Sequence, residues 1–358
     1  MLKIFPIILI LLTSTLVSAG YAAPEISKKE YCDYTYKVFS DSKSGKIYLA
    51  CAGSQQTLEL KIINPHTFDI ERSFPLDGLL QGIVTSADGL SMYMLLVEVD
   101  GDEDTPDGAL RQVSIASGEI LKEVVFKTSP LDMTVTKNQA KAFITGMGID
   151  MGQIIAVDLK TFEITIQVNF GDIPDHLVLT PDNSRMFVKS EEIFIDPETN
   201  NPFWKIGIFS TDLTWVDTLS LPYMPTSLLM TPEGNLLISN AIPYTEYETD
   251  VCLTVVNSAD LKKVKIVSFK ETGIWEMHLD STGKKLYCIV SPKNAPEPDS
   301  EELVHAPSGV IVTLNLTDYS HTETKVSDES LWDLAVTAND TLIAITADSS
   351  NVYIIPAK

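Results

Sequence analysis

The sequence is poor in positive charge. Its 358 residues include 26 lysines and arginines against 49 aspartates and glutamates, which gives a formal net charge of -23. A field this negative repels nucleic acids and anionic lipids, so it excludes a nucleic-acid partner. The same charge keeps an exported protein soluble. The composition therefore favours partners that are neutral, basic or cationic.

The familiar catalytic signatures are also lacking. The chain has no Gly-x-Ser-x-Gly elbow, no His-Glu-x-x-His pair, no P-loop and no Gly-x-Gly-x-x-Gly turn. It has no Cys-x-x-Cys pair, which excludes a zinc ribbon and a thioredoxin-type redox centre. The five histidines are dispersed along the chain: His66, His176, His278, His305 and His321. These absences favour a binding protein, with an enzyme as the alternative.

Long apolar segments are lacking beyond the N-terminus. The run from Ile4 to Val17 follows a positive residue and precedes a group of small residues. This layout is typical of a secretory signal peptide, and the run is shorter than the ~20 residues of a spanning helix. We assign 1–22 to the signal peptide, with cleavage after Ala19 or Ala22, and 24–358 to a single mature domain. We expect that domain to be secreted, periplasmic or at the cell surface, with no membrane span.

Cysteine is scarce, with four residues in the chain. In an exported protein, cysteines favour disulfides over metal ligands. Cys32 and Cys51 fall on segments that we expect to be neighbours, so a bridge between them is predicted. Cys252 and Cys288 lie in adjacent repeat units and form the second candidate pair.

What the sequence does contain is a repeat. Helical periodicity is nearly absent, because apolar residues recur at every second position or in short runs. Turns in which Asx side chains and glycines close a tight hairpin recur about every 45 residues, the period of propeller blades. These turns are Ser40–Gly45, Ser86–Gly89, Thr136–Gln139, Thr180–Asn183, Thr231–Gly234, Asp280–Gly283 and Thr337–Asp340. A short apolar strand follows each of them.

The repeat predicts an all-β fold, a seven-bladed β-propeller of four-stranded antiparallel blades. The units cover residues 36–78, 79–129, 130–173, 174–224, 225–273, 274–329 and 330–358. The seventh unit is short and ends after its third strand, at residues 351–356. The segment 26–34 can supply the missing strand, so we expect an N-terminal strand to close the ring. We expect this closed ring to be a monomer.

The repeat resembles the YVTN-type seven-bladed propellers of surface-layer proteins, which are related to amine-dehydrogenase and lactonase propellers. The resemblance covers nearly the whole mature chain and rests on a turn glycine, a second strand with an aromatic residue and a third strand that ends in Asp or Asn. The signature tetrapeptide is degenerate, as in Tyr48–Cys51 and Phe187–Ser190. The resemblance implies the fold and not one activity, since propellers host many functions.

The starts of the predicted first strands place polar and aromatic residues around the mouth of the central channel. One level holds Gln81, Leu131, Asp175, Thr226, Trp275 and Trp332, and the next holds Gly82, Asp132, His176, Ser227, Glu276 and Asp333. The candidate ligand-binding residues are Asp132, Asp175, His176, Trp275, Glu276, Trp332 and Asp333. Carboxylates and tryptophans suit a cationic or amphipathic ligand, through ion pairing and cation–π contact. The alternative is structural, because such residues also stack between blades and cap strand ends.

Long acidic insertions lie between the second and third strands of four units, at 98–108, 191–204, 241–250 and 291–309. They share a face with the channel mouth, and long loops on one face of a repeat fold often bind partners. Asp100, Asp102 and Asp104 match the first ligand positions of a calcium loop, but Thr105 and Arg111 break the EF-hand motif. A looser oxygen-ligated Ca²⁺ site and a solvated acidic tip stay as alternatives, and we expect no other cofactor.

The sequence therefore predicts an exported, non-catalytic binding propeller. Its acidic face and central funnel would engage a protein, a peptide or a cationic small molecule. The alternative is a lactonase-like hydrolase, with His176 and either Glu276 or Asp333 as base and acid. An accessory subunit of a periplasmic dehydrogenase is a further alternative.

Overall fold

The structure is a computed structural model of the full chain. The residues that it describes are 26–41, 45–54, 57–98, 107–171, 173–240, 253–269, 272–292, 309–346 and 350–356. They contain no helix that is long and apolar enough to cross a membrane. The predicted signal peptide, residues 1–22, lies outside them.

The strands follow one another in chain order and form seven antiparallel sheets. An N-terminal strand β1 (Ser27–Glu30) precedes the first blade, which consists of β2 (Tyr34–Ser40), β3 (Ile47–Ala52), β4 (Leu58–Ile63) and β5 (Ile70–Leu76). The second blade consists of β6 (Gly78–Thr85), β7 (Ser91–Glu98), β8 (Gly108–Ser114) and β9 (Ile120–Phe126). The third consists of β10 (Ser129–Val135), β11 (Lys141–Met147), β12 (Gly152–Asp158) and β13 (Glu163–Gly171).

The fourth blade carries one additional short strand. It consists of β14 (Pro174–Leu179), β15 (Arg185–Ser190), the short β16 (Phe194–Ile195), β17 (Pro202–Ser210) and β18 (Trp215–Leu221). The fifth consists of β19 (Pro225–Met230), β20 (Asn235–Asn240), β21 (Leu253–Asn257) and β22 (Lys263–Val267). The sixth consists of β23 (Thr272–Leu279), β24 (Lys285–Pro292), β25 (Val310–Asn315) and β26 (His321–Lys325). The seventh takes β27 (Leu331–Val336), β28 (Leu342–Thr346) and β29 (Asn351–Ile355) from the C-terminal end.

The seventh blade is completed by the N-terminal strand, as predicted. Strand β1 pairs with β29 in antiparallel register, with Ser27 opposite Ile354 and Glu30 opposite Asn351. The chain therefore joins its two ends within one sheet and leaves no open edge between the first and last blades. The predicted seven-bladed propeller is confirmed.

The core consists of apolar clusters between neighbouring blades. Successive residues of a second strand point to opposite neighbours, since side chains alternate along a strand. Tyr48 of β3 packs with Met92 of blade two, whereas Leu49 packs with Ile345 of blade seven. Because both faces of these strands are buried, they are continuous apolar runs and not alternating ones.

A disulfide ties the closing segment to the first blade. Cys32, between β1 and β2, is bonded to Cys51 of β3, with 5.9 Å between their Cα atoms. This predicted bridge is confirmed. Cys288 is buried within β24, and Cys252 lies outside the described residues, so their pairing stays a prediction.

Candidate functional site

The channel mouth is formed by a β-bulge that recurs in all seven blades. In each blade the pairing of the first and second strands shifts register near the start of the first strand. A bulge leaves extra residues unpaired and redirects their side chains. The bulged residues are Tyr36, Gln81, Leu131, Asp175 with His176, Thr226 with Ser227, Trp275 and Trp332. All of these except Tyr36, His176 and Ser227 belong to the first level of residues that was aligned from the sequence.

Two predicted ligand residues connect neighbouring blades. The Leu177 N–H of blade four donates a hydrogen bond to Asp132 Oδ2 of blade three at 3.1 Å, and the Met133 N–H donates to Asp132 Oδ1 at 2.7 Å. Asp333 of blade seven likewise accepts from the Val38 N–H of blade one at 3.0 Å. The carboxylates therefore satisfy backbone donors on the first strand of a neighbouring blade.

A lysine from the first blade projects into the same region. Lys37 Nζ donates a hydrogen bond to the Gln81 carbonyl oxygen of blade two at 3.2 Å. Its positive charge lowers the pKa values of Asp132 and Glu276 and of His176, although burial outweighs this effect at both carboxylates. The channel thus contains an internal cation close to its acidic residues.

A second lysine neutralises the carboxylate of blade four. Lys189 of β15 has only 2% of its side chain exposed, and its Nζ lies 2.5 Å from Asp175 Oδ2. The other oxygen of Asp175 is buried and has no hydrogen-bond partner among the described residues. Burial raises the pKa of Asp175 above its ordinary range, against the opposing effect of Lys189. A buried ion pair with one oxygen left over has acceptor capacity for a further polar group.

The neighbouring histidine is neutral. His176 Nδ1 lies 3.7 Å from Asp132 Oδ2, which is too long for a hydrogen bond. Burial, assisted by the charges of Lys189 and Lys37, lowers the pKa of His176 to about 3. His176 therefore adds no positive charge to the channel at neutral pH.

Glu276 has a pKa far above the ordinary value of a glutamate. Burial raises its pKa to about 8, and the negative charge of Asp333 contributes to the same shift. Burial raises the pKa of Asp132 to about 7. Both side chains keep part of their surface open to the channel, 23% for Glu276 and 29% for Asp132, although protein surrounds them on the other sides. A cation that enters the channel would favour the ionised form of both groups.

The two tryptophans of the site lie against each other at the bulges of blades six and seven. The ring centroids of Trp275 and Trp332 are 5.5 Å apart, with the ring planes inclined at 48°. Trp332 is 41% exposed, whereas Trp275 is half-buried. The residues that follow them in the chain are Glu276 and Asp333. An exposed indole beside two carboxyl groups is an arrangement that receives organic cations.

The structure brings all seven predicted residues to this mouth, but it also shows contributions that the sequence analysis missed. Lys37 was missed because unit one was not included in the strand alignment, where Tyr36 would fall at the level of Gln81 and Lys37 at the level of Asp132. Lys189 and His278 lie on strands that pass the channel, and no turn or motif marks them. His278 Nε2 is buried, 3.6 Å from Glu276 Oε1, without a hydrogen-bond partner among the described residues.

The predicted calcium site cannot be compared with the structure. Asp100, Asp102 and Asp104 lie outside the described residues. Within the described part of the chain, no three His, Cys, Asp or Glu side chains are grouped so as to hold a metal ion. The acidic loop therefore stays a prediction.

Comparison with known proteins identifies the fold. No protein-family model matches the sequence, and no curated protein matches it significantly. The β-propeller domain of Cps50 (Swd1) from Myceliophteria thermophila is similar, with a TM-score of 0.65 and 11% identity over 93% of this chain and 98% of that one. Hydrazine synthase of Kuenenia stuttgartiensis has a TM-score of 0.66 and 11% identity, over 95% of this chain and 99% of that one. At such low identity the likeness shows the fold alone.

Proposed function

We propose that this protein is an exported interaction propeller that receives a cationic group of a protein, a peptide or a small molecule at its channel mouth. The observation that carries the proposal is the Trp275–Trp332 pair beside Glu276 and Asp333. An exposed tryptophan lowers the solubility of a protein. The exposed Trp332 lies at a bulge, which redirects its side chain. The resemblance to YVTN-type propellers and the Cys32–Cys51 disulfide support an exported protein of this kind.

The charges at the mouth support a cation over an anion. Four carboxyl groups line the region, namely Asp132, Asp175, Glu276 and Asp333, against the two lysines Lys37 and Lys189. The histidine beside them is neutral. The net charge of these side chains is negative whenever Glu276 and Asp132 are both ionised. A positive ligand group is then attracted and a negative one is repelled.

A hydrolase is supported less well by the same geometry. A general base needs a carboxylate that can reach the substrate, whereas Asp333 and Asp132 accept backbone hydrogen bonds from the next blade. His176 is neutral, as a base should be, but its distance of 3.7 Å to Asp132 gives it no orienting hydrogen bond. We therefore do not propose the lactonase-like alternative, and turnover of a lactone by the wild type would reverse this choice.

The test is a titration with acetyl-arginine methylamide, followed by the indole N–H signals of the four tryptophans in an NMR spectrum. We expect saturable shifts of the Trp275 and Trp332 signals, because a guanidinium group that stacks on indole alters its magnetic environment. Trp215 offers a matched control, since it is 51% exposed on the outer strand β18. Its signal should stay unchanged.

Substitution separates a defined site from the general attraction of an acidic protein. Trp332→Ala should weaken binding of the arginine probe at least about tenfold, as expected for loss of roughly 1.4 kcal/mol. Trp215→Ala should leave binding unchanged. Equal shifts of all four indole signals, or equal affinities of the two variants, would show diffuse attraction by net charge and overturn the proposed site.

A further inference from the structure

The turns between third and fourth strands share an unusual residue. Five of them place a large apolar side chain at a backbone position with φ between 57° and 62°: Phe68, Phe162, Leu213, Leu261 and Tyr319. Large residues in this left-handed region are strained. In four of the turns the residue lies four positions after an Asn or Asp, whose carbonyl oxygen accepts its N–H. The strain must be offset by contacts that the side chain makes.

Those contacts fill the gap between two blades. Phe162 of blade three belongs to the cluster shared with blade two, where its ring lies 6.3 Å from that of Tyr93 at an angle of 27°. Leu213 of blade four, Leu261 of blade five and Tyr319 of blade six pack in the same manner against the preceding blade. Each turn thus supplies a side chain that closes the interface with the blade before it, and we call these residues the plugs.

Two interfaces differ from this pattern. Between blades one and two the turn residue is Gly118, and Phe74 of blade one approaches it so closely that an added Cβ would lie 2.4 Å from its ring. Blade seven cannot have such a turn, because its fourth strand β1 comes from the other end of the chain. The interface between blades six and seven therefore receives no plug from a hairpin.

A groove is present at that interface. It has a volume of about 270 Å³, and its apolar walls are Tyr287 and Ile311 of blade six and Leu342 and Ile355 of blade seven. Tyr287 is the third residue of β24, as Tyr93 is the third residue of β7. The polar part of the lining includes Thr313 and Thr324 of β25 and β26, together with Lys285 and Asp340. For scale, a cavity of ~150 Å³ is enough for benzene.

We propose that the groove between blades six and seven is a docking site for a phenylalanine or tyrosine side chain that a partner protein presents on an exposed turn. The occupant is inferred from the molecule itself, since a large apolar side chain on a turn fills five of the interfaces, and in three of these turns it is aromatic, at Phe68, Phe162 and Tyr319. An aromatic ring is favoured by Tyr287, because its counterpart Tyr93 is covered by the ring of Phe162. The site lies at the opposite ends of the strands from the channel mouth and goes beyond the function proposed above.

The probe for this site is a cyclic peptide with the sequence Asp-Leu-Lys-Thr-Phe-Glu, copied from the turn 158–163 of blade three. The mature protein would carry ¹³C-labelled methyl groups on Ile and Leu. We expect saturable shifts of the methyl signals of Ile311, Leu342 and Ile355. The same peptide with Ala in place of Phe should bind at least about tenfold more weakly, since burial of the ring drives binding.

Variants that fill the groove provide the decisive comparison. Thr313→Phe places a ring of the protein in the gap and should abolish peptide binding. Thr324→Trp closes the groove from the outer strand and serves if Thr313→Phe does not fold. Thr165→Phe, on the exposed outer strand β13, adds an aromatic residue elsewhere and should leave binding unchanged.

Three outcomes overturn the proposal. The first is equal binding of the Phe and Ala peptides, and the second is persistence of the methyl shifts in both groove variants. The third is the absence of any shift with the wild type at millimolar peptide, which would mean that the groove is filled by the protein's own residues or is closed in solution. Each differs from failure at the channel mouth, because that site is tested with a different probe and followed by the indole signals of Trp275 and Trp332.

Discussion

At the scale of single residues, two carboxylates at the channel mouth accept hydrogen bonds from a neighbouring blade, and mutation tests this structural role. Asp132→Ala and Asp333→Ala leave the Leu177 and Val38 N–H groups without their acceptors. An unsatisfied buried donor costs about 1–3 kcal/mol, so we expect each variant to lower the free energy of unfolding in urea by that amount. The Asn variants keep one acceptor oxygen and should lose less.

The control for these substitutions is Asp150→Ala, because Asp150 is exposed at a loop tip. It should change stability by less than about 0.5 kcal/mol, as surface substitutions usually do. If Asp132→Ala and Asp333→Ala behaved like Asp150→Ala, the link between blades would contribute nothing and both residues would be free for ligand binding.

Glu276 gives a prediction on pH. Its pKa rises from an ordinary value of 4.5 to about 8 on folding, so the folded state holds a proton that the unfolded state releases. Its contribution to stability is therefore complete below pH 4.5 and is lost as the pH rises towards 8. Glu276→Gln removes this loss. We expect the variant to gain at least about 1 kcal/mol relative to wild type between pH 5 and pH 8.5.

Urea unfolding of both proteins at the two pH values measures this difference directly. Other groups, including Asp132 and His176, titrate in both proteins, so their effects largely cancel. A stability difference that is the same at pH 5 and pH 8.5 would mean that Glu276 titrates normally and that the channel is more polar than its packing indicates.

At the scale of elements, the closing strand is the part of the ring that depends on a covalent tie. The Cys32–Cys51 bridge spans 19 residues and fixes the chain immediately after β1. A loop of this length is worth about 3 kcal/mol in the unfolded state. We expect Cys32→Ser with Cys51→Ser to lower stability by roughly this amount and to increase hydrogen exchange first in β1 and β29.

Reduction of the wild type should reproduce the effect of the double variant. The amides of β12 in blade three serve as an internal control and should exchange as slowly as before, because that sheet is remote from the closing strand. Uniform acceleration across all blades would contradict the view that β1 is the local weak point of the ring.

The strands were largely predictable because the same pattern of turn and apolar strand recurs in every unit. Turn residues and buried second strands mark every unit, and the incomplete seventh unit pointed directly to 26–34 as its fourth strand. The alignment of the first strands placed Asp132, Glu276 and Asp333 at one level, and each of them directly follows a bulge that the sequence did not predict. The inter-blade role of these carboxylates could not be read in advance, since it depends on backbone N–H groups of a different blade.

At the scale of the whole molecule, the ring is specified redundantly, whereas its function is not. Seven interfaces each need an apolar cluster, so the sequence repeats that information seven times. A ligand site needs only a few residues and each occurs once. Lys37 and Lys189 illustrate this, because they change the charge of the channel without belonging to any repeated pattern. The same reasoning applies to the groove at blade seven, which arises from the position of the chain ends and not from a motif.

The molecule's charge and the acidity of its channel together predict that ligand binding depends on pH. Binding of acetyl-arginine methylamide beside Glu276 requires the ionised carboxylate, which is scarce below a pKa of about 8. Affinity scales with the fraction of competent protein, so it should rise about 25-fold between pH 6.5 and pH 8.5. Binding should then release a proton, which calorimetry detects in buffers of different ionisation enthalpy. Glu276→Gln should bind more weakly at pH 8.5 and show a smaller rise with pH, since Asp132 with its pKa of about 7 still becomes ionised across this range. General attraction by the acidic surface predicts a different result, since most surface carboxylates are already ionised at pH 6.5 and the affinity would be nearly constant across this range.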